Sequence, residues 1–118
     1  MSRHRRLERL ARKDVGKSDV GRHNLFAVVV QGGKVIARGV NRRHRDGTIH
    51  AEMAALSQMI RRKRSSEGCD IHVYRFMADG SYGLSKPCAD CEASLREAGI
   101  RRVFYSDYDN TMKCFLLD

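Results

Sequence analysis

Tryptophan is missing from this 118-residue chain, and proline occurs once. No apolar run approaches the roughly 20 residues of a membrane-spanning helix. The basic N-terminus has no apolar stretch behind it of the kind a secretory signal carries. Four cysteines are few for a disulfide scaffold, and at this length, with 42% apolar residues, a core forms without such staples. The expectation is a single cytoplasmic domain over residues 1–118 with no membrane partner. In a reducing compartment its cysteines serve as ligands or free thiols.

Acidic residues are also scarce, 14 against 23 Lys and Arg, which leaves a formal net charge of +9. The basic residues gather at 3–17, 38–45 and 61–64. Such charge attracts phosphate-bearing partners, nucleotide or nucleic acid. It serves equally as a solvated face that keeps the protein dispersed.

Residues 1–13 carry Leu7, Leu10 and Ala11 at helical spacing among basic residues, which predicts an amphipathic helix on one face of a sheet. Residues 15–24 read as a connection, with Gly16, Ser18, Gly21 and Asn24 as breakers. Residues 25–30 form a β-branched apolar strand, and Gly32-Gly33 turns it back into a second strand over 35–40. Residues 41–48 read as a polar, basic loop. A helix is expected from His50 to about Arg62, with Thr48 ahead of it as the N-cap. A third strand over 70–76, a helix over 88–98 ended by Gly99, and a fourth strand over 102–105 follow. The tail at 115–117 fits either a fifth strand or a terminal turn. The order predicts a three-layer α/β/α fold around a mixed sheet of four to five strands. Residues 1–23 are the basic helix and connection, and 25–106 the core. His4, His23 and His44 lie in polar stretches and read as surface residues, and Cys114 as a free thiol.

The single proline stands directly before a cysteine pair. Pro87-Cys88-Ala89-Asp90-Cys91 follows His50-Ala51-Glu52 in the chain, and together they supply one imidazole and two thiols. Three protein ligands leave zinc a fourth position for water, as catalytic sites do. Proline is tolerated in a first helical turn, and cysteines three apart share one helix face near the N-terminus, where thiolates are favoured. Glu52 lies about 200° around a helix from His50, so it does not chelate beside it.

H-x-E followed by P-C-x-x-C is the signature of zinc-dependent base deaminases. On these residues the chain resembles the cytidine deaminase superfamily, in its His/Cys/Cys branch, over roughly residues 25–106. The resemblance implies one Zn²⁺ per chain held by His50, Cys88 and Cys91, with zinc-bound hydroxide as the nucleophile. Glu52 is then the proton shuttle between water, ring nitrogen and departing amine. It further implies Asn41 on the sugar, Ala51 on the base edge and the segment around Ser85 on the exocyclic amine. Tyr105 falls to the base or a neighbouring nucleotide. Asn41 and Tyr105 are equally well read as an ordinary loop asparagine and a strand aromatic. Relatives are usually oligomers, so a homo-oligomer is expected.

The core motif does not choose a substrate. Arg42, Arg43 and Arg45 follow Asn41 and would grip a 5′-phosphate, so a cytosine nucleotide of the CMP or dCMP kind is the leading reading. The alternative is a deaminase of cytosine in single-stranded DNA or RNA, or of adenine in tRNA, supported by the total charge and the Tyr105–Tyr108 loop. A different class altogether is a non-catalytic structural-zinc module that binds nucleic acid. Cys69-x-x-His72 ahead of Cys88-x-x-Cys91 has the spacing of a zinc ribbon. That reading leaves His50-Ala51-Glu52 unexplained and puts Cys69 and His72 on opposite faces of a strand.

Overall fold

The computed structural model describes residues 3–15, 24–45 and 47–117. Helix α1 (Arg3–Asp14) comes first. Strand β1 (Asn24–Gln31) and strand β2 (Lys34–Val40) then form a hairpin, in which Gly32 and Gly33 take φ of 55° and 80°. Positive φ at both central positions matches the turn to the twist of the strands.

The segment read as a basic loop is instead a second small sheet. Strand β3 (Arg42–His44) pairs antiparallel with β4 (Gly47–Ile49), Arg42 opposite Ile49 and Arg43 opposite Thr48. Thr48 therefore belongs to a strand and does not cap the next helix. Helix α2 (Ala51–Arg61) starts two residues later, with His50 in the extended N-cap conformation and no side-chain capping bond. Strand β5 (Asp70–Phe76), helix α3 (Ala89–Glu97), strand β6 (Arg102–Ser106) and strand β7 (Met112–Leu116) complete the chain. The ambiguous tail is thus a full strand, paired antiparallel with β6.

The five-stranded sheet runs β2-β1-β5-β6-β7. Only β5 and β6 are parallel, and α3 connects them, as a parallel crossover requires. Alternation along β1 divides the core in two. Phe26, Val28 and Val30 pack with Leu7 and Ala11 of α1, while Ala27 and Val29 pack with Ala51, Ala55 and Met59 of α2 and Leu95 of α3. The result is the three-layer α/β/α sandwich with a mixed sheet that the element order implied. Residues 16–23 of the predicted connection, with Gly16, Ser18, Gly21 and His23, lie outside the described residues, while Asn24, expected to break the chain, instead opens β1 opposite Phe76.

Both helices of the second layer start at the same end of the sheet. Strand β2 runs toward that end, α2 returns from it, β5 runs toward it again and α3 returns. The ends of α3 are fixed locally. Cys88 is its N-cap, the sulfur accepting from the Cys91 N–H. Gly99, at φ 85°, closes a double C-terminal bond in which Gly99 and Ile100 donate to the carbonyls of Arg96 and Leu95.

Candidate metal centre and active site

The N-caps of α2 and α3 are the two motif residues themselves, His50 and Cys88. A first-turn residue of α3, Cys91, completes the cluster. One ligand atom from each of His50, Cys88 and Cys91 lies within 4.8 Å of the others, and His50 Nδ1 is 3.2 Å from Cys91 Sγ. Zinc bonds of about 2.3 Å to sulfur and 2.0–2.1 Å to nitrogen, at tetrahedral angles, place donor atoms about 3.5–3.8 Å apart. The donor chemistry and the spacing both fit one zinc ion.

Cys91 is buried while Cys88 is exposed. Burial pushes the Cys91 thiol pKa up, and Glu52, Cys88 and Asp90 push it further the same way. A divalent cation is the charge that reverses this and holds the sulfur as thiolate. Glu52 is also buried, at 5% exposure. Desolvation drives its carboxyl pKa up, opposed by its own backbone hydrogen bond and by the charge of His50. The site thus pairs a soft metal-ligand set with a buried acid two residues past His50, whose charge acts on Cys91.

Thr48, Ile49, His50, Met53, Cys88 and Asp90 are among the residues around an open cavity of about 330 Å³ at the cluster. Thr48 and Ile49 reach it on β4, a strand too short for sequence periodicity to reveal. Met53 was legible only as part of the apolar stripe of α2.

The remaining expected site residues spread outward. Ala51 is fully buried beneath the helix start. Asn41 is buried at the end of β2, where its Oδ1 accepts from the Leu25 N–H at 3.1 Å. Ser85 turns its hydroxyl inward, donating to the Val73 carbonyl at 2.7 Å and accepting from the Ser106 N–H. Tyr105 stands edge-on to Phe115, and Lys86 Nζ lies 5.4 Å over that ring. Arg45 is exposed in the β3–β4 turn. Arg42 lines a different cavity with Arg38 and Arg61.

The ribbon reading does not assemble. Among the described residues the metal-binding group is His50, Cys88 and Cys91 alone. Cys69 is buried with its sulfur 4.0 Å from the carbonyl oxygens of Ser65 and Glu67. His72 stacks on Phe104, ring centroids 4.3 Å apart.

The profile of the cytidine and deoxycytidylate deaminase zinc-binding region matches residues 1–107. The chain belongs to that family. Among solved structures, the dCMP deaminase of cyanophage S-TIM5 in complex with dCMP and dUMP superposes with a TM-score of 0.69 at 24% identity, covering 88% of this chain and 80% of that one. Cytidine deaminase from Burkholderia pseudomallei gives 0.72 at 20% identity, over 99% and 94%. The Mycobacterium leprae cytidine deaminase gives 0.58 at 18%, over 90% and 87%. At these identities the likeness is one of fold. No curated protein matches the chain. Family and donor set agree: this deaminase-family chain carries the residues for one Zn²⁺.

Proposed function

We propose that the protein is a hydrolytic deaminase of a cytosine nucleotide of the CMP or dCMP kind, yielding the uracil form and ammonia. The observation that supports this most is the buried Glu52 carboxyl, two residues past His50 on α2, beside a three-ligand cluster that leaves a coordination position open. When bound, zinc supplies Lewis acidity and lowers the pKa of a coordinated water toward 7.

The protein's own residues do the rest. His50, Cys88 and Cys91 hold the metal at the two helix starts. Glu52 takes the proton from the attacking water and delivers it to the ring nitrogen beside the attacked C4. It then takes the second proton from the added hydroxyl and passes it to the departing amine, so the water oxygen becomes the carbonyl and ammonia leaves. Burial keeps the protonated form of Glu52 accessible for that last delivery. The Ala51 main chain meets the base edge, and the segment around Ser85 accepts from the exocyclic amine. Asn41 holds the sugar and Tyr105 packs on the base side. Arg45 of the β3–β4 turn meets the 5′-phosphate, with Arg42 on the same hairpin adding positive charge.

The test is ammonia release from a panel of cytidine, CMP, dCMP, adenosine, guanine and a single-stranded oligonucleotide, with zinc measured on the same samples. CMP or dCMP is expected to outpace cytidine. Glu52→Gln is expected to keep one zinc per chain while release falls about 10²-fold or more. Protein without stoichiometric zinc, or full activity in Glu52→Gln, overturns the reading. A polynucleotide substrate is the second reading, supported by Tyr108, 65% exposed in the β6–β7 turn where a flanking base would stack. It predicts faster release from the oligonucleotide than from CMP, and binding that weakens steeply with salt.

A further inference from the structure

On the flank of α2 that faces away from α3, the outer edge of the sheet encloses a second cavity of about 290 Å³. Ala54, Gln58 and Arg61 present one stripe of the helix to it, and Arg38, Gly39 and Arg42 present the edge. Among the described residues it shares no lining residue with the cavity at the metal cluster. Gln58 and Arg61 lie eight and eleven residues past His50, about 12 and 16 Å down the helix at 1.5 Å per residue.

Its chemistry is that of an anion site. Among the described residues, three guanidinium groups line it, against the single carboxylate of Asp14. That carboxylate pairs with Arg38 at 3.2 Å and fixes its head. The Arg38 main-chain N–H, which an edge strand would otherwise leave open, donates to Gln58 Oε1 at 2.8 Å. The side chains of Arg42 and Arg61 are exposed and, among the described residues, carry no hydrogen bond or ion pair. Two uncommitted guanidinium groups on opposing elements, with one guanidinium already neutralised, leave a formal charge of about +2. A phosphate monoester carries −1.5 to −2 at neutral pH, whereas a backbone phosphodiester carries −1. Arginine also matches phosphate oxygens in bidentate geometry.

We propose that this cavity binds inorganic phosphate or a phosphate monoester, as a site separate from the metal cluster, and that the bound anion ties β2 to α2. The probe is inorganic phosphate, titrated at fixed ionic strength into the zinc-loaded protein and followed by ¹⁵N NMR. Saturable shifts are expected at the Gln58 side-chain amide and at the Nε–H groups of Arg42 and Arg61, with the His50 and Cys91 amides unmoved. Arg42→Gln/Arg61→Gln is expected to weaken binding roughly tenfold or more at unchanged zinc content. Phosphate should raise the melting temperature of the parent protein and not that of the double variant.

Dimethyl phosphate, a monoanion, is expected to bind more weakly, and equal binding overturns the charge match. CMP, added until the signals around the metal cluster saturate, separates the two sources of phosphate. It is expected to leave the cavity signals where phosphate put them. Displacement of the anion would make this the nucleotide's own phosphate pocket and overturn its separateness. Unsaturable shifts, or undiminished affinity in the double variant, overturn the site itself. None of these readouts depends on turnover, so the deaminase reading can fail while this one holds.

Discussion

Individual side chains decide how closely the second layer approaches the sheet. A Cβ built on Gly39 would stand 2.6 Å from both the Ala54 Cβ and the Ala55 backbone nitrogen. Backbone on one side and a buried helix on the other leave nothing flexible to yield. Gly39→Ala is therefore expected to destabilise by about 1–3 kcal/mol, the usual range for overpacking, seen as a lower denaturant midpoint with unchanged slope. A parent-like midpoint would mean that α2 slides outward without loss. Cys69 offers the converse case. It is buried among apolar residues, away from the metal cluster, so Cys69→Ser should lower stability by burying a hydroxyl and keep one zinc per chain, measured by metal analysis. Loss of zinc would revive the ribbon. At this scale the motif residues were legible because metal chemistry restricts ligands to a few residue types at fixed spacings. The placement of Asn41, Ser85 and Arg42 was not, because amides, hydroxyls and guanidinium groups serve interior, surface and ligand alike.

Elements with a strong period were readable, and those without one were not. The hairpin of β1 and β2, helix α2 and the stop of α3 at Gly99 follow from alternation, stripe and left-handed glycine. Three-residue strands are too short to show alternation, so β3 and β4 were invisible, and the N-cap moved from Thr48 to His50 once Thr48 was taken up in a ladder. The segment joining β5 to α3, which delivers Cys88, shows the same dependence on distant partners. Tyr82 in its middle donates to Glu8 of α1, its N–H donates to Asn110 Oδ1 at 3.1 Å, and Arg12 donates to the Gly80 carbonyl at 3.0 Å while lying over the Phe76 ring. Helix α1 is thus the outer strap of the segment that leads to the metal helix. Tyr82→Phe keeps the ring packing and removes the donor. It is expected to speed amide exchange across residues 77–83 by several-fold and to cost about 1 kcal/mol. Exchange unchanged there would show that apolar packing alone holds α1 in place.

For the whole molecule, the same burial sets an alkaline limit. Tyr74 is fully buried and Tyr82 nearly so. Desolvation pushes both phenols up, aided for Tyr82 by the bond to Glu8 and for Tyr74 by the charges of Tyr82 and Glu8. The unfolded chain releases these protons near pH 10, while the folded chain keeps them. Above that pH the unfolded state binds fewer protons, so stability is fully present below about pH 10 and declines as the pH rises. Lys113, held between Asp107 and Asp109 at 2.8 Å from each, moves in the same direction. Tyrosinate absorbance near 295 nm, followed alongside far-UV circular dichroism, should rise with loss of the fold for these two of the four tyrosines. In Tyr82→Phe the alkaline decline should be shallower, because one of the linked protons is gone. All four tyrosines ionising near pH 10 with the fold intact would mean that the α1 face of the sheet admits water, and that α1 does not seal it.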